Sequence, residues 1–319
     1  MLKGLYILGK KNYELIYGPA EREEIAGLVD IYAPPQTRES VKENPAVLHD
    51  ADVIFSGWGG PLMDEEFLAA ARGLKVVFYG AGSIRSVVTD AFWERNILIT
   101  SAYAANAVPV AEYTLSQVLF CLKRGWHFVL EAKRERRMPK KTAMPGAYGS
   151  TVGIISLGMI GRRVCELLKQ FDVRVIAYDP YVTREEASLL NVELCSLEDV
   201  FKQADVVSLH TPWLKETEGM IRGEHFKLMK PGAAFINTAR GAVVNETEMI
   251  EVLAGRPDLY AVLDVTWPEP PEQGSPLYTL PNVILTPHIA GSQEGECRRM
   301  GRYMAEELKR YLAGEPLRW

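Results

Sequence analysis

One stretch of the chain, from Thr151 to Tyr181, constrains the fold more than any other. A short apolar run leads into a glycine-containing turn, Ser156-Leu157-Gly158-Met159-Ile160-Gly161, and the turn opens an amphipathic segment. A second apolar run follows and ends in the acid Asp179. This succession of strand, glycine turn, helix, strand and acid is typical of a dinucleotide-binding βαβ unit.

Each residue of this pattern has a physical task toward a dinucleotide. Gly158 lets the backbone approach a pyrophosphate, and Gly161 lets the helix pack closely on the strand. The first N–H groups of the helix, at Met159 and Ile160, are expected to hold the phosphates. Asp179 is expected to accept hydrogen bonds from the adenosine ribose, and its charge would repel a 2′-phosphate. The pattern therefore predicts NAD rather than NADP as the cofactor.

The fingerprint departs from its usual form because Ser156 stands where the first glycine is expected. An ordinary βα turn without a ligand is the alternative interpretation. The strand before the turn, the helix after it and the distance to the acid favour the cofactor. We expect the serine to affect cofactor affinity more than the fold.

Length and composition indicate two globular domains. At 319 residues the chain is longer than one typical domain, and its 47% hydrophobic and 24% charged fractions are those of a soluble protein. The net charge of -5 argues against a nucleic-acid-binding surface. The N-terminal apolar run is too short for a signal-peptide core or a membrane span, so we expect a cytoplasmic protein. The four cysteines form no CxxC or His/Cys cluster, so we predict neither disulfides nor a metal site.

Short apolar runs alternate with helix-like segments, which predicts parallel sheets covered on both faces. The runs expected to be strands include Leu5–Leu8, Val29–Tyr32, Val53–Phe55, Val76–Tyr79, Ile97–Ile99, Val206–Leu209, Ala233–Ile236, Tyr260–Leu263 and Val283–Leu285. The segments expected to be helices include Glu21–Leu28, Asp64–Arg72, Ile84–Glu94, Val110–Leu122 and Glu294–Leu312. Two glycine turns, Ser56–Gly60 and Gly80–Ser83, follow apolar runs, and each is either a substrate contact or a tight turn without a ligand.

A basic stretch follows the long helix-like segment. It contains Arg124, Lys133, Arg134, Arg136, Arg137, Lys140 and Lys141. Such runs are usually solvated faces or arms around a neighbouring subunit, and the acidic total charge argues against a nucleic-acid role.

Polar side chains of an unusual kind follow the later apolar runs. They are His210-Thr211-Pro212, then Asn237-Thr238-Ala239-Arg240-Gly241, then Asp264 with Glu269 five residues on, and Thr286-Pro287-His288-Ile289-Ala290-Gly291. Because parallel strands point their carboxyl ends the same way, all of these are expected on the edge that carries the phosphate turn. The sheet would thus gather a guanidinium, a carboxylate and an imidazole beside a nicotinamide.

That trio suits hydride transfer to a carbonyl. Arg240 has the planar fork that matches a carboxylate. His288 can supply a proton near neutral pH, and Glu269 can stabilise the imidazolium. Taken singly, each has a simpler reading: Arg240 as a salt-bridge partner, His288 as a structural residue after proline, and Glu269 as a solvated loop acid. Their ordered combination after a cofactor fingerprint favours the catalytic reading.

With these residues in place, the chain resembles the D-isomer-specific 2-hydroxyacid dehydrogenase family. The resemblance covers Gly80 to Gly291 and is strongest over Gly153–Asp179, Asn237–Glu246 and Asp264–Gly291. It implies an α/β fold of two doubly wound parallel-sheet domains, with a Rossmann NAD domain inserted in a flavodoxin-like substrate domain. The implied bounds are residues 1–100 and 288–319 for the substrate domain and 101–287 for the NAD domain. Members are usually homodimers joined through the NAD domain.

The resemblance also implies roles for single residues. Arg240 would anchor the substrate, Glu269 and His288 would form the acid/base pair, and the amides of Ala81 and Gly82 would also bind the substrate carboxylate. The implied cofactor contacts are Met159, Ile160, Asp179, Thr217, Thr238, Ala239 and Asp264, with Asp264 reaching the nicotinamide amide. From the same turn and strand ends we add Gly158, Gly161, His210, Thr211, Pro212, Arg240, His288 and Gly291 to the cofactor set.

The substrate is less defined than the chemistry, because Ser83-Ile84-Arg85-Ser86 follows Gly82 where the family usually has an Asp-Asn pair. Trp58, Tyr79 and Trp267 are candidates to line a pocket for a bulky side chain, and Arg85 is a candidate to meet a second anionic group. Both remain hypotheses, since aromatic residues more often serve packing.

Three functions are therefore considered. The first is a reductase of 2-oxo acids, or the reverse oxidation, with NAD. The second is a non-catalytic NAD-sensing module, like the corepressors that resemble this family. The third is oxidation of a small anion such as formate or phosphite, and the Glu269–His288 pair disfavours formate, for which a glutamine is expected in place of the glutamate.

Overall fold

A computed structural model describes residues 1–318 of the chain. They form two compact units. Unit 1 comprises Met1–Ala107 together with the chain from Ser292 onward, and unit 2 comprises Val108–Gly291.

The strands and helices alternate along the chain, as the apolar runs predict. The strands are β1 Lys3–Ile7, β2 Asp30–Ile31, β3 Val53–Ser56, β4 Val76–Tyr79, β5 Leu98–Ser101, β6 Thr151–Ile155, β7 Arg174–Tyr178, β8 Glu193–Leu194, β9 Val206–Leu209, β10 Ala234–Asn237, β11 Tyr260–Leu263 and β12 Val283–Leu285. The helices are α1 Lys10–Ile16, α2 Pro19–Ala26, α3 Arg38–Glu43, α4 Glu65–Ala70, α5 Asp90–Glu94, α6 Tyr103–Leu122, α7 Gly125–Glu135, α8 Met159–Leu168, α9 Arg184–Leu189, α10 Leu197–Gln203, α11 Gly223–Leu228, α12 Glu246–Gly255 and α13 Cys297–Leu312.

Unit 1 is built on a parallel sheet in the order β2-β1-β3-β4-β5. This is the strand order of flavodoxin-like doubly wound folds. Every residue of β3 and β4 is buried, as expected for strands with helices on both faces. The fully buried Tyr17 hydroxyl shares its one proton between the carbonyl oxygens of Ser56 at 2.9 Å and Phe78 at 3.2 Å. It thereby ties together the carboxyl ends of β3 and β4.

The predicted helix Ile84–Glu94 is wrong at its start. The helix begins only at Asp90, because the Thr89 side chain accepts a hydrogen bond from the Phe92 N–H and caps it there. The residues from 84 to 88 form a turn.

Unit 2 is built on a parallel sheet of seven strands in the order β12-β11-β10-β9-β6-β7-β8. The chain leaves β6 in one direction to form β7 and β8 and returns to its other side with β9, which is the Rossmann arrangement. Ligands of such sheets bind beyond the carboxyl ends of the strands, at the point where the order reverses. The predicted fold class, α/β with two parallel doubly wound sheets, is confirmed.

The basic stretch of the sequence lies around helix α7. Arg124 directly precedes α7 and is half-buried, whereas Lys133 and Arg134 on α7 and the four basic residues after it are exposed. Within residues 1–318, no helix combines the length and apolar character that crossing a membrane requires.

Candidate active site

The turn between β6 and α8 has the geometry of a phosphate-binding turn. Gly158 is the N-cap of α8, in an extended conformation and with no side-chain cap for the first turn of the helix. A Cβ at Gly161 would lie 2.1 Å from the Ser156 carbonyl oxygen, so only glycine allows the helix to pack this closely. Ser156 itself has a φ of 77°, the left-handed region that favours the glycine usual at this position.

Asp179 ties the end of β7 to the same turn. One of its carboxylate oxygens accepts the Leu157 N–H at 2.7 Å and lies 3.5 Å from the Ser156 hydroxyl. The other accepts the Tyr181 N–H at 2.9 Å. A carboxylate has about four acceptor sites, so capacity remains for ribose hydroxyls.

Buried polar atoms at the end of β9 also fit a cofactor. His210 and Thr211 are 8% and 6% exposed. Within the described residues 1–318, neither the His210 Nδ1 nor the Thr211 hydroxyl has a hydrogen-bond partner. Buried polar atoms normally have partners, so their orphaning at a ligand-binding edge fits a bound group.

The His210 ring is neutral. Its Nε2 lies 3.0 Å from the Ser208 hydroxyl, and burial lowers the pKa of His210 to about 3. So low a pKa does not suit an acid or base near neutral pH, and the positioning role near the cofactor stays a prediction.

The Thr217 hydroxyl, a predicted cofactor contact, is engaged within its own loop. It donates to the Pro212 carbonyl oxygen at 2.6 Å and accepts the Leu214 N–H at 2.9 Å. Its role toward the cofactor stays a prediction.

The loop after β10 is held by a residue that the sequence reasoning did not assign to the site. The amide side chain of the buried Asn237 accepts the Ala239 N–H at 3.0 Å and donates to the Arg240 carbonyl oxygen at 3.1 Å. An asparagine at the end of a strand commonly makes such a turn, so the sequence did contain a signal for it. The predicted cofactor contact Thr238 lies in the same loop, with its hydroxyl 3.1 Å from that of Thr114.

Arg240 is half-buried, and its Nη1 donates to the Ala239 carbonyl oxygen at 2.6 Å. Burial lowers the pKa of the Arg240 guanidinium, and the nearby Glu269 carboxylate partly opposes this. The two side chains are therefore close enough to interact electrostatically.

The loop with Arg240 packs directly on the segment that leads to Glu269. A Cβ at Gly241 would lie 2.0 Å from the Thr266 carbonyl carbon, so only glycine fits. In the same segment, the Trp267 N–H donates to a Glu246 carboxylate oxygen at 3.1 Å, and burial raises the pKa of Glu246. Glu246 is a second residue that the sequence reasoning did not assign.

The side chains of His288 and Glu269, which are predicted to act as an acid/base pair, are in contact. The His288 Nδ1 lies 2.6 Å from a Glu269 carboxylate oxygen, and the two side chains are 45% and 37% exposed. With Nδ1 engaged in this way, Nε2 is the imidazole atom left to exchange a proton with a substrate. His288 has a φ of 54°, so it too lies in the left-handed region.

The 2%-exposed Asp264 is enclosed by the segment that contains His288. Its carboxylate accepts the Ile289 and Ala290 N–H groups, each at 2.8 Å, and the Thr286 hydroxyl at 2.5 Å. Its carbonyl oxygen accepts the His288 N–H at 3.0 Å. The predicted contact from Asp264 to the nicotinamide amide stays a prediction, as does the contact from Gly291, the last residue of unit 2.

The predicted substrate contacts of unit 1 lie in the turn after β4. The Ala81 N–H donates to the Tyr79 carbonyl oxygen at 2.8 Å and is therefore engaged within the turn, while Gly82 is half-buried. Among the aromatic candidates, Tyr79 is buried and Trp267 is exposed. Trp267 packs edge-on against Trp213 with 4.6 Å between ring centroids.

Comparison with known proteins adds independent findings. The family model described as D-isomer specific 2-hydroxyacid dehydrogenase, NAD binding domain, matches residues 116–290. The D-3-phosphoglycerate dehydrogenase of Methanocaldococcus jannaschii is 33% identical over 280 residues, 88% of this chain and 52% of that protein. The D-3-phosphoglycerate dehydrogenase of Archaeoglobus fulgidus is 32% identical over 259 residues, 80% of this chain and 49% of that protein. The chain thus spans about half the length of the curated relatives it matches.

A solved structure supports the fold over the whole chain. The D-isomer specific 2-hydroxyacid dehydrogenase of Lactobacillus delbrueckii ssp. bulgaricus, in its NAD complexed form, superimposes with a TM-score of 0.81 at 24% identity. The superposition covers 100% of this chain and 99% of that one.

Proposed function

Because the chain belongs to the D-isomer specific 2-hydroxyacid dehydrogenase family, we propose that it is an oxidoreductase that interconverts a D-2-hydroxy acid and its 2-oxo acid with NAD(H). The observation that carries the proposal is the 2.6 Å contact between His288 and Glu269. The effect of the Glu269 charge on the pKa of Arg240 supports it. An imidazole, its carboxylate and a half-buried guanidinium form the set that reduction of a 2-oxo acid requires.

In the direction of reduction, each side chain has one task. The Arg240 fork binds the substrate carboxylate and polarises the C2 carbonyl. The His288 Nε2 gives its proton to the carbonyl oxygen as the C–O double bond becomes single. Glu269 orients the ring through Nδ1 and stabilises the imidazolium before the proton leaves. When bound, NADH supplies the hydride that C2 receives, and in oxidation every transfer reverses.

The cofactor would be held by the residues of the phosphate turn and the strand ends. The amides of Met159 and Ile160 would bind the phosphates, and Asp179 would bind the adenosine ribose and disfavour NADP. The orphaned atoms of His210 and Thr211 support this assignment.

These residues do not specify the side chain of the substrate, and the names of the relatives suggest one candidate. A 2-oxo acid that carries a phosphate belongs in any test panel, since relatives named D-3-phosphoglycerate dehydrogenase match most of this chain. Pyruvate, glyoxylate, a branched 2-oxo acid and phenylpyruvate complete a panel that varies size and charge. Activity confined to glyoxylate would reject the pocket for a bulky side chain.

The experiment follows the loss of NADH absorbance with this panel. We expect turnover with at least one 2-oxo acid, and a loss of roughly a hundred-fold or more in kcat for His288→Ala, because a general acid contributes at least that much. The exposed histidine of unit 1 gives a matched control, His49→Ala, which should keep the full rate. A His288→Ala variant that keeps the full rate would reject the acid/base assignment.

We also propose a cytoplasmic homodimer. The family resemblance and the exposed basic stretch on and after α7 support a subunit arm, and the four free cysteines suit a reducing compartment. Light scattering on the purified protein would measure the subunit count, and a monomeric mass would reject the dimer.

A further inference from the structure

We propose that Tyr113 on α6 is a positioning residue for His288, acting through Thr286 and Asp264. The proposal rests on the proposed function, because the role of His288 as the acid/base group does. Tyr113 belongs to none of the predicted catalytic or cofactor residues, and it contributes only a hydroxyl to the network described below.

The direction of the hydrogen bonds follows from the chemistry of the three groups. The Asp264 carboxylate only accepts hydrogen bonds, so the Thr286 hydroxyl donates its one proton to Asp264 at 2.5 Å. The Tyr113 hydroxyl lies 3.1 Å from the Thr286 oxygen and must therefore be the donor in that contact. A phenol is protonated at neutral pH, and burial raises the pKa of Tyr113 further, so its hydroxyl has the proton that it donates.

The chain of bonds ends on the backbone that carries the imidazole. Asp264 receives the N–H groups of the two residues after His288, at 2.8 Å each, and its carbonyl oxygen receives the His288 N–H. His288 has a φ of 54°, in the left-handed region that a non-glycine residue rarely adopts. Such a conformation persists when the surrounding structure holds it in place. Here Asp264 accepts three of the backbone hydrogen bonds that do so. A change that moves the Asp264 carboxylate will therefore move His288.

Helix α6, which carries Tyr113, also contacts a second loop of the candidate site. The next residue, the fully buried Thr114, lies with its hydroxyl 3.1 Å from that of Thr238 in the loop that contains Arg240. Two successive residues of one helix thus contact the loops of both Arg240 and His288. A rigid element is better suited than a loop to hold catalytic groups in place.

The test compares Tyr113→Phe with the parent protein in NADH oxidation by the best 2-oxo acid. Without the phenol hydroxyl, Thr286 loses its donor and Asp264 loses part of its fixation. We expect kcat to fall about three- to ten-fold, the worth of one hydrogen bond. We expect the KM for NADH and its Kd from fluorescence titration to change less than kcat, because Asp264 keeps its own hydrogen bonds to Thr286 and to the N–H groups of residues 289 and 290. Tyr148, an exposed tyrosine of the same unit, gives the matched control, because Tyr148→Phe should leave kcat unchanged.

A double-mutant cycle distinguishes positioning from a general structural effect. If Tyr113 acts through His288, Tyr113→Phe should leave the residual rate of His288→Ala unchanged, because the two changes are then not additive. An equal loss in both backgrounds would overturn the proposal, and so would an unchanged kcat in the single variant or a raised KM for NADH alone. If the parent protein turns over none of the 2-oxo acids, the proposed function itself fails; turnover by the parent with no effect of Tyr113→Phe rejects this inference only.

Discussion

Two residues at the carboxyl edge of the unit 2 sheet have backbone conformations that L-residues rarely adopt. Ser156 has a φ of 77° and His288 a φ of 54°, and each such residue costs about 1–2 kcal/mol. Strain of this kind is kept when the neighbouring structure determines it, and it concentrates at functional sites. For Ser156 the neighbours are the strand β7 and Asp179, and for His288 they are Asp264 and Glu269.

The strain at Ser156 leads to a prediction about stability. Ser156→Gly removes the Cβ from a left-handed position, whereas Ser156→Ala keeps it and removes only the hydroxyl. We expect the glycine variant to be more stable than the alanine variant by about 1 kcal/mol in urea unfolding. Equal stability of the two variants would show that the backbone at Ser156 is not strained.

The planar fork of Arg240 leads to a prediction about activity. Arg240→Lys keeps the charge but loses the paired N–H groups that match a carboxylate. We expect kcat/KM for the 2-oxo acid to fall by roughly a hundred-fold, with little change in NADH affinity. A matched control is Arg174→Lys, whose arginine forms an exposed ion pair with Glu193 at 2.7 Å, and it should retain full activity. A fully active Arg240→Lys would remove Arg240 from the substrate site.

Among the elements, the start of α8 depends most on a single residue. A Cβ at Gly161 would overlap the Ser156 carbonyl oxygen at 2.1 Å, whereas one at Gly255, at the end of α12, would meet nothing within 4 Å. We expect Gly161→Ala to destabilise the protein by about 3 kcal/mol or more, since the backbone must shift. Gly255→Ala should be neutral or stabilise by up to about 1 kcal/mol, because alanine favours helix. Similar unfolding midpoints for both variants would contradict the packing described for α8.

The elements also show what the sequence could predict. Buried parallel strands are continuous apolar runs, so β3, β4, β9 and β11 were predicted within one residue. The Arg240, Glu269 and His288 loops were predicted to share an edge because parallel strands end on the same side. The start of α5 was not predicted correctly, because it depends on the Thr89 cap and not on hydrophobic periodicity.

Such sequence patterns do not predict contacts between residues that are far apart in the sequence. Tyr113 and Thr286 are 173 residues apart in sequence, and the contact from Glu246 to the Trp267 backbone spans 21. Neither Tyr113 nor Glu246 differs locally from an ordinary helical residue. Only the folded chain shows that they hold the loops of the candidate site.

For the whole molecule, the buried His210 makes stability depend on pH. Its pKa is lowered to about 3 by burial, whereas an exposed histidine has a value near 6.5. Between these two values the unfolded chain binds a proton that the folded chain does not, so stability falls as the pH falls below about 6.5. From pH 7 to pH 5 this amounts to roughly 2 kcal/mol.

Urea unfolding at the two pH values checks this expectation. His210→Gln should lose about 2 kcal/mol less than the parent protein between pH 7 and pH 5. The exposed His49 provides the control, since His49→Gln should follow the parent. Identical losses in all three proteins would mean that His210 titrates normally in the folded state.

The most direct measurement of the central claim is the fate of the transferred hydrogen. NADH that carries deuterium at the transferred position of C4 is incubated with the protein and a 2-oxo acid, and the product is analysed by chiral chromatography and mass spectrometry. If Arg240, Glu269 and His288 act as proposed, the product is the D-2-hydroxy acid with one deuterium at C2. A product of the opposite configuration, a product without deuterium, or no product from any acid of the panel would contradict it.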